Sequence, residues 1–122
     1  MGKILIVDDD EVIADLFATL LRSKGYEVLT AYCSDKALAL CKRDAPALLI
    51  SDVNMPGLCG IELVRTVCGQ FPETKCMLMS GGTDFDDARM RDKLKSLDVT
   101  ATFNKPFIVA DFLATVESAL RG

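Results

Sequence analysis

Short runs of apolar residues, each about the length of a β-strand, alternate with segments of helical period along the chain. The runs are continuously apolar rather than interrupted by polar residues, which is typical of strands covered on both faces, as in a parallel sheet. This alternation predicts an open, doubly wound α/β fold with helices on both faces of the sheet. The predicted strands cover residues 4–7, 28–29, 48–50, 76–79 and, more weakly, 99–103.

Apolar residues at helical spacing fill the stretches between these runs. The clearest stripe stops before Gly25, a typical residue at the end of a helix. The same spacing recurs within residues 61–71 and 112–120, and residues 37–41 form a shorter helix candidate. Residues 84–95 carry many charges and few apolar side chains, so this predicted helix is the least anchored. The clearest stripe consists of Ile13, Leu16, Phe17, Leu20 and Leu21.

The composition indicates one compact domain, which we expect to span residues 1–122. Half of the 122 residues are hydrophobic, enough to build a core without disulfide or metal crosslinks. The net charge is −4 and no long run of Lys or Arg occurs, which argues against direct nucleic-acid binding. No apolar run reaches the length of a signal sequence or a membrane helix, so we expect a cytoplasmic protein with no membrane partner.

The five cysteines show no spacing typical of a metal or redox motif. None belongs to a C-x-x-C pair, and the chain has no histidine, so a Cys/His zinc site is not expected. Their apolar surroundings fit reduced thiols in or near the core of a cytoplasmic protein.

Acidic residues follow two of the predicted strands. Asp8 and Asp9 come after the first strand, and Asp52 follows the third with only Ser51 between. The carboxyl ends of parallel strands meet at one edge of a sheet, so the three carboxylates are expected to converge there. Converging carboxylates repel one another unless a cation neutralises them, and all-oxygen ligands favour Mg²⁺, with Mn²⁺ as an alternative.

Two further side chains suit such a site. Ser80 ends the fourth predicted strand, and its hydroxyl could donate to a phosphoryl oxygen. Lys105 ends the fifth, and its ammonium could pair with added negative charge. These groups fit attack of a carboxylate on phosphorus, assisted by a metal ion.

Four motifs in register resemble the response regulator receiver family of two-component signalling. They are residues 4–9, residues 52–57 with Gly60 following, Ser80-Gly81, and Lys105-Pro106-Phe107. Their order and spacing match over essentially the whole chain. The resemblance implies a flavodoxin-like sheet of five parallel strands in the order 2-1-3-4-5, and a switch that accepts a phosphoryl group.

The resemblance also implies how the metal and the phosphoryl group are held. Asp52 would be the phospho-acceptor and a metal ligand. Asp9 would bind the ion directly and Asp8 through water. Asn54 would lend its backbone carbonyl to the ion.

Other implied roles concern transmission of the signal. Ser80 would be the switch hydroxyl, and Lys105 would contact the phosphoryl group. The peptide bond between Lys105 and Pro106 is cis in the family. The family commonly carries an aromatic residue three positions before this lysine, where this chain has Thr102. Phe103 is next to it, but neighbouring residues of a strand point to opposite faces. Transmission through an inward-turning aromatic is therefore not expected.

The expected partners follow from the same resemblance. A sensor histidine kinase or a histidine phosphotransfer protein would donate the phosphoryl group, because this chain has no histidine. The chain would be no enzyme towards other substrates and would catalyse only its own phosphotransfer and autodephosphorylation. The face of the last two helices would serve a downstream effector or a homodimer. Its charged residues are Arg89, Arg91, Lys93, Lys95, Asp98 and Asp111.

Two other interpretations remain open from the sequence. Residues 7–12 also resemble the D-x-D motif of Mg²⁺-dependent hydrolases of the haloacid dehalogenase class, in which Asp8 would be the nucleophile and Asp10 the acid/base. That class requires a further acidic pair after the lysine, where only Asp111 and Glu117 remain, and this chain lacks a cap domain. We instead expect Asp10 to cap the first helix. The other interpretation is a receiver that docks partners without being phosphorylated.

Overall fold

The structure is a computed structural model that describes residues 2–53, 60–80, 88–95, 99–104 and 109–121. Strands and helices alternate within these residues. The strands are β1 (Lys3–Val7), β2 (Glu27–Ala31), β3 (Leu48–Asp52), β4 (Lys75–Ser80) and β5 (Val99–Asn104). The helices are α1 (Glu11–Arg22), α2 (Ser34–Arg43), α3 (Gly60–Gln70), α4 (Ala88–Lys95) and α5 (Val109–Arg121).

The strands form one sheet in the order β2-β1-β3-β4-β5, and each neighbouring pair is parallel. The predicted α/β class with a parallel sheet is therefore confirmed. Each predicted apolar run lies within a strand, and every strand extends one to three residues beyond the run that predicted it. Alternate side chains of β1 enter different cores: Leu5 and Val7 pack on one face, and Ile4 and Ile6 on the other.

Helices cover both faces of the sheet. On one face, buried side chains of α2 and α3, such as Cys41 and Val64, pack against the strands. On the other face, α1 and α5 supply the cover, and the rings of Phe17 and Phe112 have centroids 5.3 Å apart. Two apolar cores, one on each face, explain why the strands are continuously hydrophobic.

Helix α1 follows its sequence signals at both ends but not across its buried face. After it ends, Gly25 adopts φ +93°, a conformation that favours glycine. The predicted stripe included Leu16, whose side chain is 63% exposed. The residues that α1 buries fully are Ala14, Ala18 and Leu21, because alanine lets the helix lie close to the sheet.

The described helices are short, from 8 to 13 residues. Helix α4 lies within the charged segment predicted as the least anchored helix, and its described side chains are exposed. Residues 84–87 of that prediction lie outside the described residues. None of the described helices has the length and apolar character needed to cross a membrane.

Candidate functional site

Three aspartates come together at the carboxyl ends of β1 and β3. One carboxylate oxygen from each of Asp8, Asp9 and Asp52 lies within 4.8 Å of the other two. Asp8 is 1% exposed and Asp52 is 9% exposed, whereas Asp9 is open to solvent. The structure thus brings together the three acidic residues that the sequence placed at this edge, two of them buried and one exposed.

The register of the sheet explains this convergence. Ile6 pairs with Ile50, and Val7 pairs with Ser51, so Asp8 comes one residue beyond a matched pair, as Asp52 does. Asp52 is the last residue of β3 rather than a loop residue after it. Because side chains alternate along a strand, the two aspartates continue the same face of the sheet.

Backbone hydrogen bonds fix the segments that carry the carboxylates. The Asp8 amide donates to the carbonyl of Ala31 at 3.2 Å, which ties the end of β1 to the end of β2. The amide of Asp10 donates to Asp8 Oδ1 at 2.9 Å and orients that carboxylate. Beyond Asp52, the Val53 amide donates to the carbonyl of Met79 at 2.8 Å. The acidic edge is therefore anchored to β2 and β4 as well.

Gly60 allows α3 to begin directly against the end of β3. Its amide donates to the carbonyl of Val53 at 2.9 Å. A Cβ at this position would lie 2.0 Å from the Asp52 carbonyl oxygen and 2.9 Å from Val53 Cα. Only glycine fits such an approach, so Gly60 is a positioning residue for Asp52. Gly60 belongs to one of the family-like motifs, but the sequence alone does not reveal this close approach.

Asp10, the third consecutive aspartate, has a different function. Its Oδ1 accepts hydrogen bonds from the amides of Val12 at 3.1 Å and Ile13 at 3.3 Å, so it caps the amino end of α1. The capping role predicted for Asp10 is confirmed. A carboxylate held in this way is directed at the helix rather than at the other three aspartates.

Of the other predicted site residues, Ser80 is described and two are not. Ser80 ends β4, one residue after Met79, which pairs with Asp52, and its side chain is fully buried. Asn54 and Lys105 lie outside the described residues. Thr102, at the position where the family carries an aromatic, pairs with Leu78 across β4 and β5 and is exposed.

The donors of this cluster decide which ions it could hold. Its three side chains offer only carboxylate oxygens, which suit a hard divalent cation rather than a soft metal. Among the described residues, Cys33, Cys41, Cys68 and Cys76 belong to no such group. Two buried carboxylates and one exposed carboxylate could thus bind a hard divalent cation.

Comparisons with known proteins agree with this geometry. The family model of the response regulator receiver domain matches residues 4–117. A CheY-like receiver domain protein of Methanospirillum hungatei is 26% identical, with a TM-score of 0.91 over 99% of this chain and 94% of that chain. The chemotaxis protein CheY4 of Vibrio cholerae is 31% identical, with a TM-score of 0.87 over 98% of both chains.

A longer protein contains a similar unit. NtrX of Brucella abortus is 31% identical, with a TM-score of 0.88, and the match covers 98% of this chain but 27% of that chain. The fold, the acidic edge and the extent of the family match agree. The chain belongs to the response regulator receiver domain family.

Proposed function

We propose that this chain is a signalling switch that takes a phosphoryl group onto Asp52 in a Mg²⁺-dependent step. The single observation that carries the proposal is the convergence of Asp8, Asp9 and Asp52, with carboxylate oxygens within 4.8 Å of one another. Membership of the receiver family supports it. The donor is a phosphohistidine of a sensor histidine kinase or of a phosphotransfer protein, since this chain contains no histidine.

The residues present fit a magnesium ion. Mg²⁺ holds oxygen ligands at about 2.0–2.1 Å, so two ligands of one ion lie at most about 4.2 Å apart. The three carboxylate oxygens lie within 4.8 Å of one another, which is close to this limit. Asp9, Asp52 and the backbone carbonyl of Asn54 are the proposed direct ligands, with Asp8 acting through water. Mn²⁺ is an alternative ion.

The proposed chemistry uses the Asp52 carboxylate as nucleophile. One Asp52 oxygen forms a bond to phosphorus, the N–P bond of the donor breaks, and the imidazole leaves with that electron pair and takes up a proton. When bound, the cation supplies charge stabilisation for the phosphoryl oxygens. Lys105 adds a second positive charge. The Asp10 amide orients the buried Asp8 carboxylate, which would contact the ion through water.

The proposed loss of the phosphoryl group is a hydrolysis. A water molecule attacks phosphorus, the bond to Asp52 breaks, and inorganic phosphate leaves while the carboxylate is restored. Both steps act on the chain itself, so we class it as a switch and not as an enzyme with external substrates. We place it in the cytoplasm, where its donor is expected.

Ser80 is the proposed link between the phosphoryl group and the protein surface. It ends the strand next to β3 and is fully buried, so a shift of its hydroxyl would alter the packing around it. The surface that changes is the face of the last two helices, where a downstream effector or a second copy docks. Thr102 is exposed on the neighbouring strand and takes no part in this transmission.

The location of the phosphoryl group tests the proposal. The protein is incubated with acetyl phosphate and Mg²⁺, and the acyl phosphate is trapped by reduction and located by peptide mass spectrometry. We expect the label on Asp52, its loss in Asp52→Ala, and its loss on chelation of the metal. Label on Asp8 that survives Asp52→Ala would overturn the proposal.

A further inference from the structure

Two cysteine sulfurs meet on the face of the sheet covered by α2 and α3. Cys68 lies in the last turns of α3, and Cys76 is the second residue of β4. Their Sγ atoms are 3.9 Å apart. A disulfide requires about 2.05 Å, so the sulfurs must approach by roughly 1.9 Å through a change of their side-chain rotamers.

The two thiols differ in access to solvent. Cys68 is partly exposed, whereas Cys76 has no exposed surface. A small oxidant in solution therefore meets Cys68 first, and Cys76 is placed to react with whatever forms there. This division of an accessible and a resolving thiol is what an intramolecular disulfide requires.

We propose that Cys68 and Cys76 form a reversible disulfide bond when the protein meets a peroxide. The Cys68 thiolate attacks one oxygen of hydrogen peroxide, the O–O bond breaks, and a sulfenic acid forms with release of hydroxide. The Cys76 sulfur then attacks the Cys68 sulfur, the S–O bond breaks, and water leaves. Two thiols are oxidised and one peroxide is reduced, and a dithiol reverses the bond.

Its position shows what the bond would constrain. Cys76 pairs with Leu49 near the start of β3, whereas Asp52 is at the other end of that strand. The bond therefore joins the last turns of α3 to the sheet at the edge opposite the acidic cluster. It closes a short loop in the unfolded chain, which stabilises the folded state. The disulfide would not directly constrain the amino end of α3, where Gly60 contacts Asp52.

Peptide mapping of the oxidised protein tests the bond. Trypsin cleaves after Arg65, Lys75 and Arg89, so the two cysteines fall in different peptides. After treatment with hydrogen peroxide and alkylation of remaining thiols, we expect these two peptides joined, at a mass lower by two hydrogens than their sum. Dithiothreitol should separate them. The melting temperature should rise on oxidation and return on reduction.

Matched variants separate this bond from other oxidation. Cys68→Ser should lose both the joined peptides and the rise in melting temperature, and Cys33→Ser, which removes an exposed thiol, should keep both. Cys76→Ala provides a second test that removes the other partner. Folded wild-type protein in which Cys68 goes to sulfinic acid, or bonds another cysteine, would overturn the proposal. Phosphoryl uptake by Asp52 is measured separately and does not bear on this result.

Discussion

Asp8 and Asp52 lie side by side across β1 and β3, each one residue beyond the Val7–Ser51 pair, and both are almost fully buried. Their carboxylates share a site with Asp9. Burying like charges close together costs free energy unless a cation or a proton compensates. A bound cation would therefore relieve electrostatic repulsion at the place where the chemistry is proposed to occur.

Mg²⁺ should stabilise the protein against unfolding. At a free concentration about 100 times its Kd, a ligand that binds only the folded state adds about 2.7 kcal/mol. Thermal denaturation with and without Mg²⁺ measures this. Asp52→Asn removes one of the three repelling charges, so the metal-free variant should melt above the metal-free wild type and gain much less from Mg²⁺. An undiminished gain in Asp52→Asn would contradict a shared cation.

Neutralising Asp9 and neutralising Asp10 should have different effects. Asp9→Asn removes a proposed metal ligand, and we expect phosphorylation by acetyl phosphate to slow by about 10–100-fold, a range typical of losses around metal sites. Asp10→Asn removes the same charge but retains the helix cap, because Asn caps as well as Asp. Its phosphorylation rate should stay near the wild-type value.

Two variants of Asp10 separate the receiver from the haloacid dehalogenase interpretation. In that class Asp10 would be the acid/base, so Asp10→Asn would abolish the chemistry. Asp10→Ala should instead lower the free energy of unfolding by about 0.5–2 kcal/mol through loss of the cap, with phosphorylation retained. Wild-type stability combined with lost phosphorylation in Asp10→Asn would favour the hydrolase.

The local pattern of apolar and capping residues predicted much of the secondary structure. Continuous apolar runs predicted the strands, and Asp10 and Gly25 predicted the ends of α1. It was wrong about Leu16, because an apolar stripe does not reveal that two alanines, at positions 14 and 18, turn the helix to lie close to the sheet. The sheet against which α1 packs sets the rotation of the helix about its axis, and the sequence of α1 alone does not contain that information.

The sequence predicted which carboxylates of the candidate site converge, but not how closely α3 approaches them. Convergence of Asp8 and Asp52 depends on the register of β1 with β3, which follows from strand ends meeting at one edge. The tight approach of α3 to Asp52 depends on a distance between distant backbone segments. Neither secondary-structure propensity nor hydrophobic periodicity reveals that distance. A glycine in the sequence shows only that a close approach is allowed.

Adding a methyl group at Gly60 should displace Asp52. The new Cβ would meet the Asp52 carbonyl oxygen at 2.0 Å, and the obstacle is backbone rather than a flexible side chain. We expect Gly60→Ala to lower the free energy of unfolding by about 1–3 kcal/mol, as overpacking does, and to slow phosphorylation. Urea denaturation and the acetyl phosphate assay measure the two effects.

Gly69 provides a matched control in the same helix. A Cβ there has no neighbour within 4 Å, so Gly69→Ala should be neutral or stabilising by up to about 1 kcal/mol, since Ala favours helix. Phosphorylation should not change. Equal losses in both variants would mean that α3 tolerates no added side chain, and Gly60 would lose its special role.

Burial should make the Cys41 thiol unreactive at neutral pH. Removal from water raises the pKa of Cys41 above its ordinary value of 9.0 because the thiolate is disfavoured. The contribution of the neutral Cys41 thiol to the free energy of unfolding is therefore complete below pH 9. It is lost as pH rises through the higher pKa of the folded state. Timed alkylation with peptide mapping should label exposed Cys33 first and Cys41 much later. Equal rates in the folded protein would contradict this.

Ser80→Ala should separate phosphorylation from its readout. Losing one buried hydroxyl costs about 1 kcal/mol, so the variant should fold, and Asp52 should still accept a phosphoryl group. With beryllofluoride as a phosphoryl mimic, amide exchange in α4 (Ala88–Lys95) should change in the wild type and not in Ser80→Ala. Thr102→Ala removes an exposed hydroxyl on the adjacent strand and should keep the wild-type response. If Ser80→Ala responds as the wild type does while Thr102→Ala fails, then the signal leaves the site through β5, and Ser80 only fills the core.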